Sequence, residues 1–215
     1  MTTNEPNPDR ADGAALAAAL APALALAIAL TMTAGCASAP PERFYTLAAG
    51  VRDAATTDAA TDAPGADGGG RSIVVAPAAL PESVDRPQLV TSAGGNRVAI
   101  LEQQRWAEPL RTGIARVVAE DLGRLLGTRR VSTREDVLRS PDCRVYLDVR
   151  RFDSAASSAA VDVEARWTGT CAGAARRTGR SAAREPAPGG TPDALVVAHG
   201  RALDRVSRDI AQAIR

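Results

Sequence analysis

The 215-residue chain is poor in the side chains that most binding and catalytic sites need. Aromatic residues make up only 3% of it, so the stacking platforms on which proteins hold bases or sugars are not expected. Its 26 basic residues, all arginine, nearly balance 25 acidic residues and leave a net charge of +1. Without a positive surplus or a long basic stripe, the sequence argues against a nucleic-acid-binding protein.

Catalytic and metal-binding motifs are also missing. One histidine and three cysteines do not make a zinc set, and no CxxC pair is present for thiol–disulfide catalysis. Neither a GxSxG elbow nor a GxxxxGK[ST] phosphate loop occurs, which argues against a serine hydrolase and an ATPase. The lone His199 falls at helical spacing with Val196, Leu203 and Val206, so we interpret it as a core or rim histidine bonded to backbone. We predict no catalytic residue, no metal ligand and no cofactor.

The N-terminal region is typical of a processed secretory segment. An almost wholly apolar run of residues 14–33 is followed by Ala34, Gly35 and Cys36, small side chains that suit a signal peptidase cleft. This pattern resembles the lipobox of bacterial lipoproteins, although Thr33 stands where leucine is usual and the preceding segment is poorly basic. Residues 1–35 are therefore predicted to be a signal peptide, and Cys36 is predicted to carry a diacylglycerol and an N-acyl chain. The alternative is that the apolar run is a permanent membrane anchor.

The residue after the predicted lipidated cysteine indicates the destination of the mature chain. In Gram-negative bacteria an aspartate at this position typically causes retention in the inner membrane, whereas this chain has Ala37. We therefore expect a lipid anchor in the outer membrane, with the protein on its periplasmic face, an oxidising compartment. Residues 36–43 form the lipidated N-terminus and a proline-containing spacer.

Beyond the spacer, short apolar strands alternate with two amphipathic helices. The first helix is predicted to begin near Pro109 and to end at Gly127, and the second to be capped by Thr191 with Pro192 in its first turn. The mixture of antiparallel hairpins and helices predicts an α+β fold, with a mixed or antiparallel sheet packed against two main helices. The predicted strands are residues 44–47, 73–75, 89–91, 98–100, 143–153, 161–171 and 176–184.

One internal segment lacks the features of a folded element. Residues 48–71 have low complexity and no apolar periodicity, so we expect a disordered insertion. The rest of residues 44–215 is long enough for one domain of ordinary size.

The two long strands predict their own register. A turn centred on Ser157 pairs apolar residues with apolar residues and pairs acidic residues with arginines across the two strands. A slip of one residue would instead place apolar residues opposite charged ones. The same register sets Cys143 directly opposite Cys171, at a separation that a disulfide can bridge. We therefore predict this disulfide; two free buried thiols are the alternative. The predicted pairs are Val145 with Gly169, Leu147 with Trp167, Asp148 with Arg166, Val149 with Ala165, and Arg150 with Glu164.

Five segments occur in an order that resembles a known family. They are FYTL at residues 44–47, LPESVDRPQLV at 80–90, GGNRVAILEQQRWAEPL at 94–110, YLDVRRFD at 146–153 and ALVVAHGRALDRVSRDIAQAI at 194–214. Together they resemble the ABC-type transport auxiliary lipoproteins of the paraquat-inducible protein C type. The resemblance implies a subunit of an envelope lipid-transport system, whose partners are a mammalian-cell-entry domain protein and inner-membrane components. A homo-oligomer is also left open.

Three residues are candidates for contact with such a partner. Arg86 and Gln88 lie in a polar stretch that is either a contact loop or an ordinary turn. Trp106 is either an exposed anchor or a hydrophobic staple for the following helix. Trp167 alternates with apolar residues and is predicted to be in the core. The rival functions are a free-standing periplasmic lipid carrier and a small envelope hydrolase.

Overall fold

The protein is described by a computed structural model that covers residues 40–50, 70–136, 138 and 140–215. Residues 42–215 form one compact unit, and residues 1–41 are assigned to another, of which only Pro40 and Pro41 are described. The predicted signal peptide, the predicted lipidation site Cys36 and most of the predicted insertion lie outside the described residues. Neither of the two described helices is long and apolar enough to cross a membrane.

A small sheet has three strands in the order β1-β4-β3. Strand β1 (Arg43–Tyr45) runs parallel to β4 (Val98–Trp106), and β3 (Gln88–Ser92) runs antiparallel to it. The hairpin between β3 and β4 turns at Gly94 and Gly95, whose φ angles of 86° and 58° lie in the region that favours glycine. The predicted hairpin is therefore confirmed, although β4 extends six residues beyond the predicted end.

A larger sheet has five strands in the order β5-β2-β6-β7-β8. Strand β2 (Ile73–Val75) is parallel to both β5 (Val131–Ser132) and β6 (Cys143–Ala155). Strands β7 (Ala160–Cys171) and β8 (Arg177–Pro186) continue the sheet in antiparallel order. Alternating buried and exposed residues along β6 and β7 show that one face of this sheet is covered and the other faces solvent.

Two helices cover the inner face of the five-stranded sheet. Helix α1 (Leu110–Leu126) contacts β2 and β5, helix α2 (Pro192–Ile214) contacts β7 and β8, and the helices contact each other. Gly127 ends α1 in a left-handed conformation with φ 65°, and the Thr191 hydroxyl caps α2 by accepting from the Ala194 N–H. The predicted helix boundaries and the α+β fold are confirmed.

The core lies between the helices and the sheet. Trp167 on β7 is 7% exposed, and its indole N–H donates to Ser181 Oγ at 3.1 Å, so the prediction that it is a core residue is confirmed. The ring lies over Gly179 on β8, where an added Cβ would be only 2.2 Å from the nearest ring atom. The glycine therefore leaves the space that the tryptophan fills.

The β6–β7 hairpin has the predicted register over its first half. Pairs from Cys143–Cys171 to Val149–Ala165 match the prediction, and the Cys143 and Cys171 sulfurs form the predicted disulfide with a Cα–Cα distance of 4.0 Å. The predicted pairing of Arg150 with Glu164 is wrong, because a bulge at Arg150 sets Arg151 opposite Glu164 instead. One extra residue in β6 shifts the remaining pairs, and local charge complementarity did not reveal it.

Candidate functional site

A surface cleft joins two of the three candidate contact residues. We call it the Trp106 cleft; it lies between the loop that precedes β3 and the turn that joins β4 to α1, and its volume is about 280 Å³. Two backbone hydrogen bonds hold its walls, one from the Trp106 N–H to the Pro87 carbonyl at 2.6 Å and one from the Ala107 N–H to the Tyr45 carbonyl at 2.8 Å. Its lining residues are Asp85, Arg86, Pro87, Trp106, Ala107, Glu108, Pro109 and Leu110.

Trp106 belongs to both the core and the cleft. Its ring meets that of Phe152 edge to face, with centroids 6.4 Å apart, while the residue remains partly exposed and lines the cleft. The staple and the exposed anchor were alternatives in the sequence, and the structure gives Trp106 a packed edge together with an accessible surface. An aromatic ring fixed in this way can pack against an apolar group of a partner without losing further conformational freedom.

The charges of the Trp106 cleft are unequally satisfied. Asp85 forms an ion pair with Arg111 at 2.5 Å, and Glu108 forms one with Arg116 at 2.6 Å. Each of these carboxylates raises the pKa of the arginine that it contacts, chiefly through a side-chain hydrogen bond. Arg86 makes no hydrogen bond or ion pair through its side chain to any described residue, and its Nε is shielded from solvent. The uncompensated charge of the cleft is therefore the cation of Arg86.

Gln88 lies outside the lining of the cleft. It is the first residue of β3, pairs with Arg105 across the sheet, and donates from Nε2 to Glu102 Oε2 at 3.2 Å. The structure thus brings Arg86 and Trp106 together and leaves Gln88 on the neighbouring strand surface.

Sequence reasoning missed Glu108 and the helix arginines that pair with the cleft carboxylates. Arg111 is 26 residues from Asp85, and no periodic pattern connects them. Only the segment WAEPL, which places an acid between a tryptophan and a proline at the start of a helix, could have drawn attention to Glu108.

His199 is buried in the core, where its contacts argue against catalysis. It is 1% exposed, stacks on Phe152 with ring centroids 3.9 Å apart, and shares a hydrogen bond of 2.8 Å between its Nε2 and Ser154 Oγ. The predicted bond to backbone is therefore wrong, since a serine side chain from β6 takes that place. Burial lowers the pKa of His199 to about 3.

The Ser154–His199 pair lacks two requirements of a nucleophilic dyad. A general base works best when its pKa is close to the working pH, and its second nitrogen is normally held by an acceptor. Here the pKa is far too low, and Nδ1 has no hydrogen-bond partner among the described residues. The described part of the chain also contains no group of three or more His, Cys, Asp or Glu side chains that could hold a metal ion.

Comparison with known proteins identifies the family. The family model of the ABC-type transport auxiliary lipoprotein component matches residues 45–211. A crystal structure of an uncharacterized protein shares the fold at 16% identity and a TM-score of 0.65, over 82% of this chain and 100% of that one. A crystal structure of a protein from Xanthomonas campestris does so at 17% identity and a TM-score of 0.56, over 80% and 95% of the two chains. No curated protein matches the chain. Because the family model covers most of its length, the chain belongs to the ABC-type transport auxiliary lipoprotein family.

Proposed function

We propose that this protein is a non-catalytic auxiliary subunit of an ABC-type system, built with a mammalian-cell-entry domain partner, that transports phospholipids or related hydrophobic molecules and maintains envelope integrity. The observation that carries the proposal is the family match over residues 45–211, which begins nine residues after Cys36, where the lipobox-like segment ends. In this proposal the protein has no cofactor, and the only covalent addition is the lipid on Cys36.

The role of the subunit is positional. Acyl chains on Cys36 hold the domain at the periplasmic face of the outer membrane, because each buried CH₂ contributes about 0.8 kcal/mol and several chains act together. The folded domain then presents a surface to the transport partner. The Trp106 cleft is our candidate for that surface, because it combines a fixed aromatic ring with an uncompensated cation.

The structure gives less support to the two rival functions. A hydrolase would have to use His199, whose pKa of about 3 and burial make it a poor base. A lipid carrier needs an enclosed apolar cavity, and typical small-molecule sites measure about 300–1,000 Å³. The Trp106 cleft and two other pockets of the described residues, of about 190 and 260 Å³, are open to solvent and smaller than this.

Anchoring is tested by fractionating cells that produce single variants of the signal region. Cys36→Ser should remove the acyl label and leave an uncleaved or soluble product, whereas Ser38→Ala, a matched change two residues away, should leave the protein in the outer membrane. Ala37→Asp should move the labelled protein to the inner membrane. Outer-membrane localisation of the Cys36→Ser chain would contradict the lipoprotein assignment.

The assembly is tested by cross-linking intact cells and purifying the anchored protein under denaturing conditions. We expect a mammalian-cell-entry domain protein in the eluate, and a weaker yield from an Arg86→Gln chain with unchanged abundance. Arg97→Gln, at the tip of the β3–β4 hairpin outside the cleft, is the control. An eluate that holds only copies of the chain itself would contradict the proposed partnership.

A further inference from the structure

The Trp106 cleft has a defined electrostatic sign. Three charged side chains line it, and both carboxylates are paired with arginines on α1 that lie outside the lining. Arg86 alone lacks a partner among the described residues, and its Nε lies where water does not reach it. Nε is the only guanidinium nitrogen of Arg86 that is both shielded and without a partner among the described residues, so the Nη groups stay open to solvent. An occupant that supplies a carboxylate to them would gain charge-assisted hydrogen bonds.

The rest of the lining is suited to an apolar side chain. The exposed surface of Trp106 stands beside Pro87 and Pro109, with Leu110 buried behind them. The Trp106 ring packs edge to face with Phe152, and its backbone N–H donates to the Pro87 carbonyl, so the wall is held in place before anything binds. A volume of about 280 Å³ has room for one or two side chains but not for the paired acyl chains of a phospholipid.

From these two features we infer that the Trp106 cleft binds a peptide segment in which an acidic residue stands within a few positions of a large aliphatic residue. The carboxylate pairs with Arg86, and the aliphatic side chain packs on Trp106. This inference rests on the proposed function, since it names the chemistry by which a protein partner would be recognised at the same surface. A segment without the carboxylate would cover the Arg86 cation and leave it unpaired.

The inference can be tested with the full-length lipoprotein in phosphatidylcholine nanodiscs, with its tryptophans labelled with ¹⁵N. The two tryptophans give two indole N–H signals, and a Trp106→Phe chain assigns them. The probes are three capped hexapeptides with glutamate one, two or three residues before leucine, and the same peptides with glutamine for glutamate. We expect at least one glutamate peptide to shift the Trp106 signal and to leave that of Trp167 unchanged, because Trp167 is buried away from the cleft.

The matched variants separate charge from shape. Replacing glutamate by glutamine in the peptide, or making Arg86→Gln in the protein, should each weaken binding about tenfold. Raising the salt concentration should weaken binding by a smaller factor, because salt screens the charge pair. The Arg97→Gln chain should bind as the wild type does. An unchanged Trp167 signal in the Arg86→Gln chain verifies that the variant is folded.

Three results would overturn the inference. The first is equal binding of the glutamate and glutamine peptides, and the second is binding by none of them. The third is a shift of the Trp106 signal in phosphatidylglycerol nanodiscs without peptide, which would assign Arg86 to a lipid headgroup. None of these affects the anchoring test on Cys36, so failure of this inference is distinguishable from failure of the proposed function.

Discussion

His199 combines a titratable ring with complete burial. Its ring stacks on Phe152 and shares a hydrogen bond with Ser154, and burial lowers its pKa from 6.5 to about 3. The folded protein therefore keeps His199 neutral, whereas the unfolded chain takes up a proton below about pH 6.5. The stability that this group contributes is complete above the unfolded pKa and is lost as the pH falls from 6.5 towards 3.

This residue should make the protein sensitive to acid. Between pH 6.5 and 4.5 the free energy of unfolding should fall by about 2–3 kcal/mol through His199 alone. Urea unfolding at both pH values, for the wild type and His199→Gln, isolates the effect, because the two chains have the same carboxylates. A His199→Gln chain whose stability depends on pH as steeply as that of the wild type would show that another group is responsible.

At the scale of elements, the β6–β7 hairpin is joined by a covalent bond as well as by its ladder. The disulfide between Cys143 and Cys171 lies next to β2, because Ile73 pairs with Cys143 and the carbonyl of Ser72, the residue before β2, accepts the Cys143 N–H at 2.9 Å. The disulfide thus joins the start of β6 to the end of β7, the backbone hydrogen bond joins it to the residue before β2, and both cysteines belong to the hydrophobic core.

We expect alkylation without reductant to leave both of these thiols unmodified in the purified protein, as measured by mass spectrometry. Replacing Cys143 and Cys171 together by alanine should lower the free energy of unfolding by about 2–4 kcal/mol. The adjacent pair Arg144 and Thr170, changed to alanine in the same way, should cost less than about 1 kcal/mol, since neither is buried. Two alkylated thiols would mean that the bond does not form in the cell.

At the scale of the whole molecule, the predicted insertion joins two points on the same side of the domain. The Gly50 N–H donates to Asp121 Oδ1 at 2.9 Å, and the Arg71 carbonyl accepts from Thr128 Oγ1 at 3.1 Å. Asp121 and Thr128 are seven residues apart along α1 and its C-terminus, which corresponds to roughly 10 Å. Five extended residues span about 17 Å, so a much shorter link could close this gap.

Deleting residues 56–69 should therefore change the melting temperature by no more than a few degrees, because closure entropy depends only weakly on loop length. Replacing the same stretch by fourteen glycine and serine residues is the matched control, since it keeps the length and removes the sequence. Calorimetry that shows loss of cooperative unfolding in either chain would mean that these residues form part of the core.

Features that depend on local sequence patterns were predictable without the structure. Apolar periodicity and turn residues predicted both helices and seven of the eight strands among the described residues, and alternation in β6 and β7 predicted the disulfide register. The bulge at Arg150 was not predictable, because one looped-out residue leaves the alternation on each side intact. Tertiary structure alone decided which charges are satisfied: Asp85 and Glu108 meet arginines of α1, whereas Arg86 meets none among the described residues. Such pairing depends on side chains that lie far apart in the sequence, with no periodic pattern to connect them, and that only folding brings together. For this reason the sequence could suggest Arg86 and Trp106 as contact residues but could not predict which charge of the cleft between them stays unpaired.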